Sequence, residues 1–257
     1  MTMIFTVDVG NTNIVLGAFE NDKLVFTARV ATEASKMEDQ YAIEFADIIR
    51  LYGLRPAQFD GAIISAVVPP LVPTLKRALE KLLSCRVLIV GPGIKTGLNI
   101  RIDDPAILGS DLVCGAVAAL KKYPMPCIIF DLGTATTISA LDKNGAFLGG
   151  AIFPGVRVSL NALSAATAQL PYINTELTSN AIIGANTIDS MKTGIVLGTA
   201  SMIDGMIDRY REVLGENAAV VVTGGIAGGI APYCRRAVTY DPDLLLDGLY
   251  LIYKKNA

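Results

Sequence analysis

Two acidic turns carry the residue types best suited to chemistry: Asp8-Val9-Gly10-Asn11-Thr12-Asn13 and Asp131-Leu132-Gly133-Thr134-Ala135-Thr136-Thr137. The first ends the apolar run 3–7, the second the apolar run 127–130. Each pattern predicts a buried strand closing on an aspartate, a tight turn rich in Gly, Thr and Asn, and then a second strand. Such a turn presents backbone N–H groups and hydroxyls to an anion, with a carboxylate beside it for a cation. A single copy would serve equally well as an Asx turn opening a hairpin. Two copies in corresponding halves predict a duplicated domain clamping one phosphate chain, as a nucleotide-dependent phosphotransferase requires. On this reading Asp8 reaches Mg²⁺ or phosphate, Asp131 holds a cation and Thr134 meets phosphate.

Three further segments bear on chemistry. Thr223-Gly224-Gly225 follows an apolar strand and opens a helical pattern, which suits either close approach of backbone to a nucleotide or a plain helix entry. Asp111, in Gly109-Ser110-Asp111-Leu112, stands at the start of an apolar helix predicted over 112–121. Ser110 or Asp111 would make a good helix N-cap. Asp111 would also serve as a general base toward a substrate hydroxyl during phosphoryl transfer. Gly184-Ala185-Asn186-Thr187 reads as another helix start, where Asn186 or Thr187 could cap or touch a ligand. The chain has no histidine, so acid–base work falls to Asp, Glu, Lys, Tyr or Cys.

The elements that must position these residues repeat in order. Strands are predicted at 3–8, 13–19 and 24–31, a helix at 38–52, a strand at 61–66, a helix at 71–83 and a strand at 86–90. The second half offers strands at 127–131, 135–141 and 146–153, a helix near 155–167, a long helix over 184–213, a strand at 218–223 and a final helix over 244–253. Only 18% of the 257 residues are charged and 52% are hydrophobic, so surplus apolar surface points to a subunit interface. No apolar run approaches the ~18 residues of a membrane span. A net charge of −2 without Lys/Arg runs argues against nucleic acid as a ligand. Cys85, Cys114, Cys127 and Cys234 lack close spacing and read as reduced core residues. With no signal-peptide pattern at the start, a cytoplasmic protein is expected.

Together these residues resemble the type III pantothenate kinases, members of the acetate and sugar kinase/Hsc70/actin superfamily. The resemblance runs over essentially the whole chain. It rests on D-V-G-N-T-N at 8–13, G-P-G-I-K-T-G at 91–97, D-L-G-T-A-T-T at 131–137 and F-L-G-G-A-I-x-P-G at 147–155. It continues through A-x-L-P at 168–171, G-x-N-T at 184–187, T-G-G at 223–225 and D-P-D-L-x-L-x-G-L at 241–249. It implies an α/β fold of duplicated RNase-H-like domains, here 1–112 and 113–257, each a mixed sheet flanked by helices. It implies ATP-dependent phosphorylation of pantothenate at its terminal hydroxyl, the first step toward coenzyme A, by a homodimer needing Mg²⁺ and a monovalent cation, K⁺ or NH₄⁺.

Carried onto this sequence, the resemblance assigns Asp8, Gly10, Asn11, Thr12, Asn13, Gly133, Thr134, Gly224 and Gly225 to ATP, and Asp8 to Mg²⁺ through water. It assigns Asp131 to the monovalent cation, Asp111 to the catalytic base, and Gly109, Ser110, Asp111, Leu112 and Thr187 to the pantothenate side. Two positions depart from the family pattern. Leu112 stands where the family usually has a substrate-binding arginine, and Ile102 follows Arg101 where a tyrosine is usual. Arg101 or Lys95 could replace the lost charge. Otherwise a nucleotide-binding regulatory protein, or a kinase for another small hydroxy compound, becomes the competing expectation.

Overall fold

The structure is a computed structural model that describes residues 2–176 and 182–257. The chain forms two compact units. One comprises Met1–Leu98, Asp104–Ala118 and Leu244–Ala257; the other comprises Asn99–Asp103 and Ala119–Asp243.

The first unit holds β1 (Met3–Val9), β2 (Asn13–Glu20), β3 (Lys23–Ala31), β4 (Gly61–Ala66) and β5 (Arg86–Ile89), in the order β3-β2-β1-β4-β5. β1, β2 and β3 pair antiparallel, while β1, β4 and β5 run parallel. β1 and β4 are buried along nearly their whole length and read as continuous apolar runs, because helices cover them. α1 (Glu38–Leu51) and α2 (Val72–Leu83) pack on each other, and α2 also meets β4. Phe5, Phe45 and Phe59 form the aromatic centre of this core.

The second unit repeats the plan with β6 (Cys127–Leu132), β7 (Ala135–Leu141), β8 (Phe147–Pro154), β9 (Ala219–Thr223) and β10 (Thr239–Tyr240), in the order β10-β9-β6-β7-β8. β6, β7 and β8 pair antiparallel, and β6, β9 and β10 parallel. Matched strand for strand, β1 corresponds to β6 and β4 to β9. This is the duplicated RNase-H-like plan expected from the sequence. The helices are less alike. α4 (Val156–Ala166) is followed by α5 (Thr187–Leu214), a helix of 28 residues, whereas α6 (Ala227–Ile230) is a single turn. Asn186 caps α5, its side chain accepting the Asp189 N–H at 2.9 Å. The two-residue β10 had no signal in the sequence.

α3 (Ser110–Lys122) and α7 (Leu244–Asn256) complete the chain. The units differ from a division into 1–112 and 113–257 in two ways. α3 contributes to the first unit as far as Ala118, and α7 returns to that unit although it lies at the far end of the sequence. The reason is burial: α7 lays Leu246, Leu249, Tyr250, Ile252 and Tyr253 against β1, β2 and β4. The Tyr250 ring stacks on Phe19 at 4.4 Å, and its hydroxyl donates to Asp22 and accepts the Asp22 N–H. Asn256 accepts the Lys95 N–H and donates to the Lys95 carbonyl, which ties the 91–97 loop to the same helix.

Candidate active site

In the first unit the apolar central strand β1 carries Asp8 near its C-terminal end, half-buried, with Val15 of β2 on one side and Ser65 of β4 on the other. The turn after it is closed by the Gly10 N–H on the Asn13 carbonyl at 3.0 Å. Thr32, just past β3, braces that turn: its hydroxyl donates to the Gly10 carbonyl at 2.7 Å and its N–H to the Thr12 carbonyl at 3.0 Å. Asn11, Thr12 and Asn13 face outward and exposed.

Asp111 reaches the same unit through α3. The Gly109 carbonyl accepts the first helical bond, from the Val113 N–H, so Ser110 and Asp111 lie inside the helix instead of capping it. Ser110 instead pins the helix to β4. Its hydroxyl donates to the Ala66 carbonyl at 3.1 Å and accepts from the Ala66 N–H and the Ser65 hydroxyl, each at 3.0 Å. One donor and two acceptor sites fill the capacity of a hydroxyl. A short chain of contacts therefore runs from Asp8 across the strand pair to Ser65, then to Ser110 and its neighbour Asp111.

Burial pushes the Asp111 carboxyl above the ordinary aspartate value; the Leu112 N–H, bonded to it at 2.9 Å, pulls the other way. That amide is one of the first-turn groups without an intrahelical partner. Burial wins the balance. The Cys114 thiol, one turn on, is fully buried and pushed well above its ordinary value, first by burial and next by the charge of Asp8, with Asp111 adding to it. Cys114 is therefore not in purely apolar surroundings, as its sequence neighbours suggested: it lies within reach of both carboxylates. Leu112 is half-buried beside Gly109.

The second unit builds a parallel arrangement. Asp131, at the end of β6, is half-buried between Thr137 of β7 and Thr223 of β9. Thr223 thus takes the place that Ser65 holds beside Asp8. The turn is one residue shorter than the first, two residues between strands instead of three, and the Gly133 N–H closes it on the Ala135 carbonyl at 3.1 Å. The residue after the third strand is again the brace. Gly155, the first-turn cap of α4, lies so close to the Gly133 and Thr134 carbonyls that a Cβ would overlap both. Gly224, at φ +102°, backs onto Asp131; a Cβ there would lie 2.6 Å from Asp131 Oδ1. Gly133, Thr134 and Gly225 are exposed.

Thr187 is exposed at the start of α5. It lines a cleft of about 640 Å³ together with Ser159, Leu163, Leu170 and Ser190. Arg101 is paired at 3.8 Å with Asp142, and Lys95 is exposed on the 91–97 loop. The sequence reading did not name Ser65 or Thr32, took Cys114 only as a reduced core residue, and met Gly155 only as part of a motif. Their roles come from strand register, which no local pattern announces. Asp241, in the 241–249 motif, is buried on Lys122 at 2.6 Å and the Tyr123 hydroxyl at 2.7 Å, so it anchors the end of α3.

Among the described residues there is no cluster of three or more His, Cys, Asp or Glu side chains able to hold a metal, and no helix is long and apolar enough to cross a membrane. Mg²⁺ keeps most of its waters and binds through one or two carboxylates plus substrate phosphates. A single carboxylate beside an exposed turn of Asn and Thr, as at Asp8, fits that habit. Asp131 with the nearby Thr223 and Thr134 oxygens is a hard-oxygen set that fits a monovalent cation.

Comparison with known proteins bears on the family and the fold. The family model for type III pantothenate kinase matches residues 4–209. A type III pantothenate kinase from Bacillus cytotoxicus is 41% identical over 256 residues, covering 99% of this chain and 97% of its own. Among solved structures, a conserved Baf family protein from Campylobacter jejuni superposes with a TM-score of 0.61 at 23% identity, covering 98% of each chain. A ROK hexokinase from Thermus thermophilus superposes at 0.54 with 14% identity, over 100% of each chain. These two structural likenesses bear on the fold alone.

Proposed function

The chain belongs to the type III pantothenate kinase family, and on that premise we propose that it transfers the terminal phosphoryl group of ATP to pantothenate, with Asp111 as the general base. The pantothenate hydroxyl oxygen forms the new bond to phosphorus, the bond from phosphorus to ADP breaks, and the hydroxyl proton passes to the Asp111 carboxylate. The observation that carries this reading is Asp111 itself. It is a half-buried carboxylate whose proton affinity is raised by burial, held by a fully bonded serine beside the strand that bears Asp8. A base works best with a pKa drawn toward the working pH, and the shift is in that direction.

Asn11, Thr12 and Asn13 are the groups we assign to the ATP phosphates in the first unit. The Gly10 N–H is already engaged within the turn, so Gly10 serves by shaping it. Gly133, Thr134, Gly224 and Gly225 are assigned to the nucleotide in the second unit. Mg²⁺ would sit near Asp8 and K⁺ or NH₄⁺ near Asp131; bound there, they would neutralise phosphate charge. Gly109, Leu112 and Thr187 are assigned to the pantothenate side, where Ser110 acts by fixing the helix start. A cytoplasmic location is in keeping with four free cysteines. The test is phosphate transfer from ATP to pantothenate by purified protein, with and without K⁺ or NH₄⁺. No pantothenate-dependent ADP release under any of these conditions would defeat the proposal.

Leu112 is the substrate-side weak point. Leu112→Arg should raise kcat/KM for pantothenate roughly 10- to 100-fold, the equivalent of a charge-assisted bond of ~1.5–3 kcal/mol, while KM for ATP stays nearly constant. If parent and variant both bind ATP yet neither uses pantothenate, another hydroxy compound is the acceptor.

We also propose a homodimer built through the second unit. α5 exposes Gly194, Gly198, Ser201 and Gly205 at helical spacing, and the three glycines have open space before them. Such a stripe lets another helix approach closely. β8 is an edge strand that leaves Ile152 76% exposed, a side chain in want of cover. Light scattering should report about twice the 27.2 kDa chain mass at micromolar concentration; a monomeric mass would rule the dimer out.

A further inference from the structure

We propose that Ser65 is a positioning residue for phosphoryl transfer: acting through Ser110, it sets the rotation of α3 and with it the place of the Asp111 carboxylate. That role presupposes the kinase reading, whereas the contacts behind it lie wholly within the first unit.

The sheet creates the need. β5 pairs with β4 only as far as Ile64 and Ile89, with one further bond from the Val90 N–H to the Ile64 carbonyl at 2.8 Å. The chain then turns off through Gly91-Pro92-Gly93. Alternate residues of a parallel ladder bond to the same neighbour, so Ala66, two beyond Ile64, points its N–H and carbonyl toward the place β5 has left. Among the described residues no strand meets them there. The Ser110 hydroxyl does, accepting the N–H at 3.0 Å and donating to the carbonyl at 3.1 Å. One side chain of α3 thus stands in for the missing strand, and leaving those backbone groups unpaired would be costly.

Ser65 adds what a single attachment cannot supply. Its hydroxyl, fully buried, donates to the Ser110 oxygen at 3.0 Å. The Cys114 thiol, also fully buried, meets the same hydroxyl. Ser110 and Cys114 are four residues apart and share one face of α3. Held at one point a helix can swing; held at two points a turn apart, it keeps that face toward β4. Asp111 follows Ser110, about 100° further around the axis. Its carboxylate lies near the outer radius of the helix, ~5–6 Å from the axis, so a rotation of about 10° displaces it by about 1 Å. A shift of that size costs roughly 10²-fold in rate.

Ser65→Ala, Ser110→Ala, Ser110→Thr and the double alanine variant are compared with the parent full-length protein. The readouts are kcat, KM for ATP and pantothenate, melting temperature, and hydrogen exchange of the Leu112 amide, which is bonded to the Asp111 carboxylate. We expect Ser65→Ala to lower kcat roughly 10- to 100-fold with both KM values nearly unchanged, and to hasten Leu112 exchange. Ser110→Ala should do the same and also melt lower, since Ala66 loses its partner; Ser110→Thr, which keeps the hydroxyl, should recover most of the turnover. The double variant should lose less than the product of the two single losses, because one residue acts through the other. Losses that multiply would mean that Ser65 works separately, through its strand neighbour Asp8, and would overturn the proposal. So would an unchanged kcat in Ser65→Ala, or a fall in kcat accompanied by raised KM values and a matching fall in melting temperature. Leu112 exchange needs no turnover: if Ser65→Ala leaves it unchanged, the positioning role is lost whether or not the parent is active. A parent that transfers nothing to pantothenate, with Leu112 exchange still hastened by Ser65→Ala, would count against the kinase reading alone.

Discussion

Asp111→Asn should lower turnover about 10²- to 10⁴-fold, the usual contribution of a positioned acid–base group, while ATP affinity and the fold survive. No histidine exists to stand in. Stability is the informative companion measurement. Burial raises the Asp111 pKa above its ordinary 3.8, so the folded chain holds that proton more tightly than the unfolded chain. The group's stabilising contribution is therefore complete below the ordinary value and is lost as pH rises through the raised one. At neutral pH the wild-type carboxylate is ionised at some cost, and Asn removes that cost. The melting temperature at pH 7 should hold or rise even as activity collapses. The acid limb of the parent's kcat profile should likewise lie above the ordinary aspartate range. A variant within threefold of the parent rate would reduce Asp111 to a partner for the Leu112 amide.

Gly224→Ala should damage both stability and turnover. At φ +102° the backbone is in a region that side chains rarely adopt, and the new Cβ would stand 2.6 Å from Asp131 Oδ1 and from the Leu132 backbone. Strain of this kind costs on the order of 1–3 kcal/mol before the overlap is relieved. For a chain of this size that corresponds to a melting temperature lower by roughly 2–12 °C. Relief has to move Asp131 or the β6 turn, and a displacement of about 1 Å at a reacting site costs roughly 10²-fold in rate. Gly229→Ala is the matched control: it lies nearby in α6, has no positive φ, and has open space where the methyl would go. The account fails if Gly224→Ala melts and turns over like the parent, or if Gly229→Ala is equally damaged.

Amino-acid order by itself determined the features that depend on near neighbours. Short apolar runs and helical apolar spacing located nine of the ten strands among the described residues and the long helices, with ends displaced by at most a few residues. The repeated Asp-x-Gly turns located the duplication and the two acidic strand ends, because turn residues act within three or four positions. The departure at Leu112 was visible only through the resemblance to the family. Tertiary structure alone decided which groups meet. Ser65 becomes Asp8's neighbour and Thr223 becomes Asp131's through parallel pairing across intervening helices, a register that depends on contacts between residues 57 and 92 positions apart. α7 joins the first sheet, not the second, because the apolar surface of β1 and β4 accepts its tyrosines and leucines. Asp111 looked like a helix cap because a cap is a local pattern; the Ser110–Ala66 bonds that draw it toward Asp8 are not local. Nor does any local pattern mark Lys192 of α5 as buried, since burial belongs to the packed elements and not to the residue.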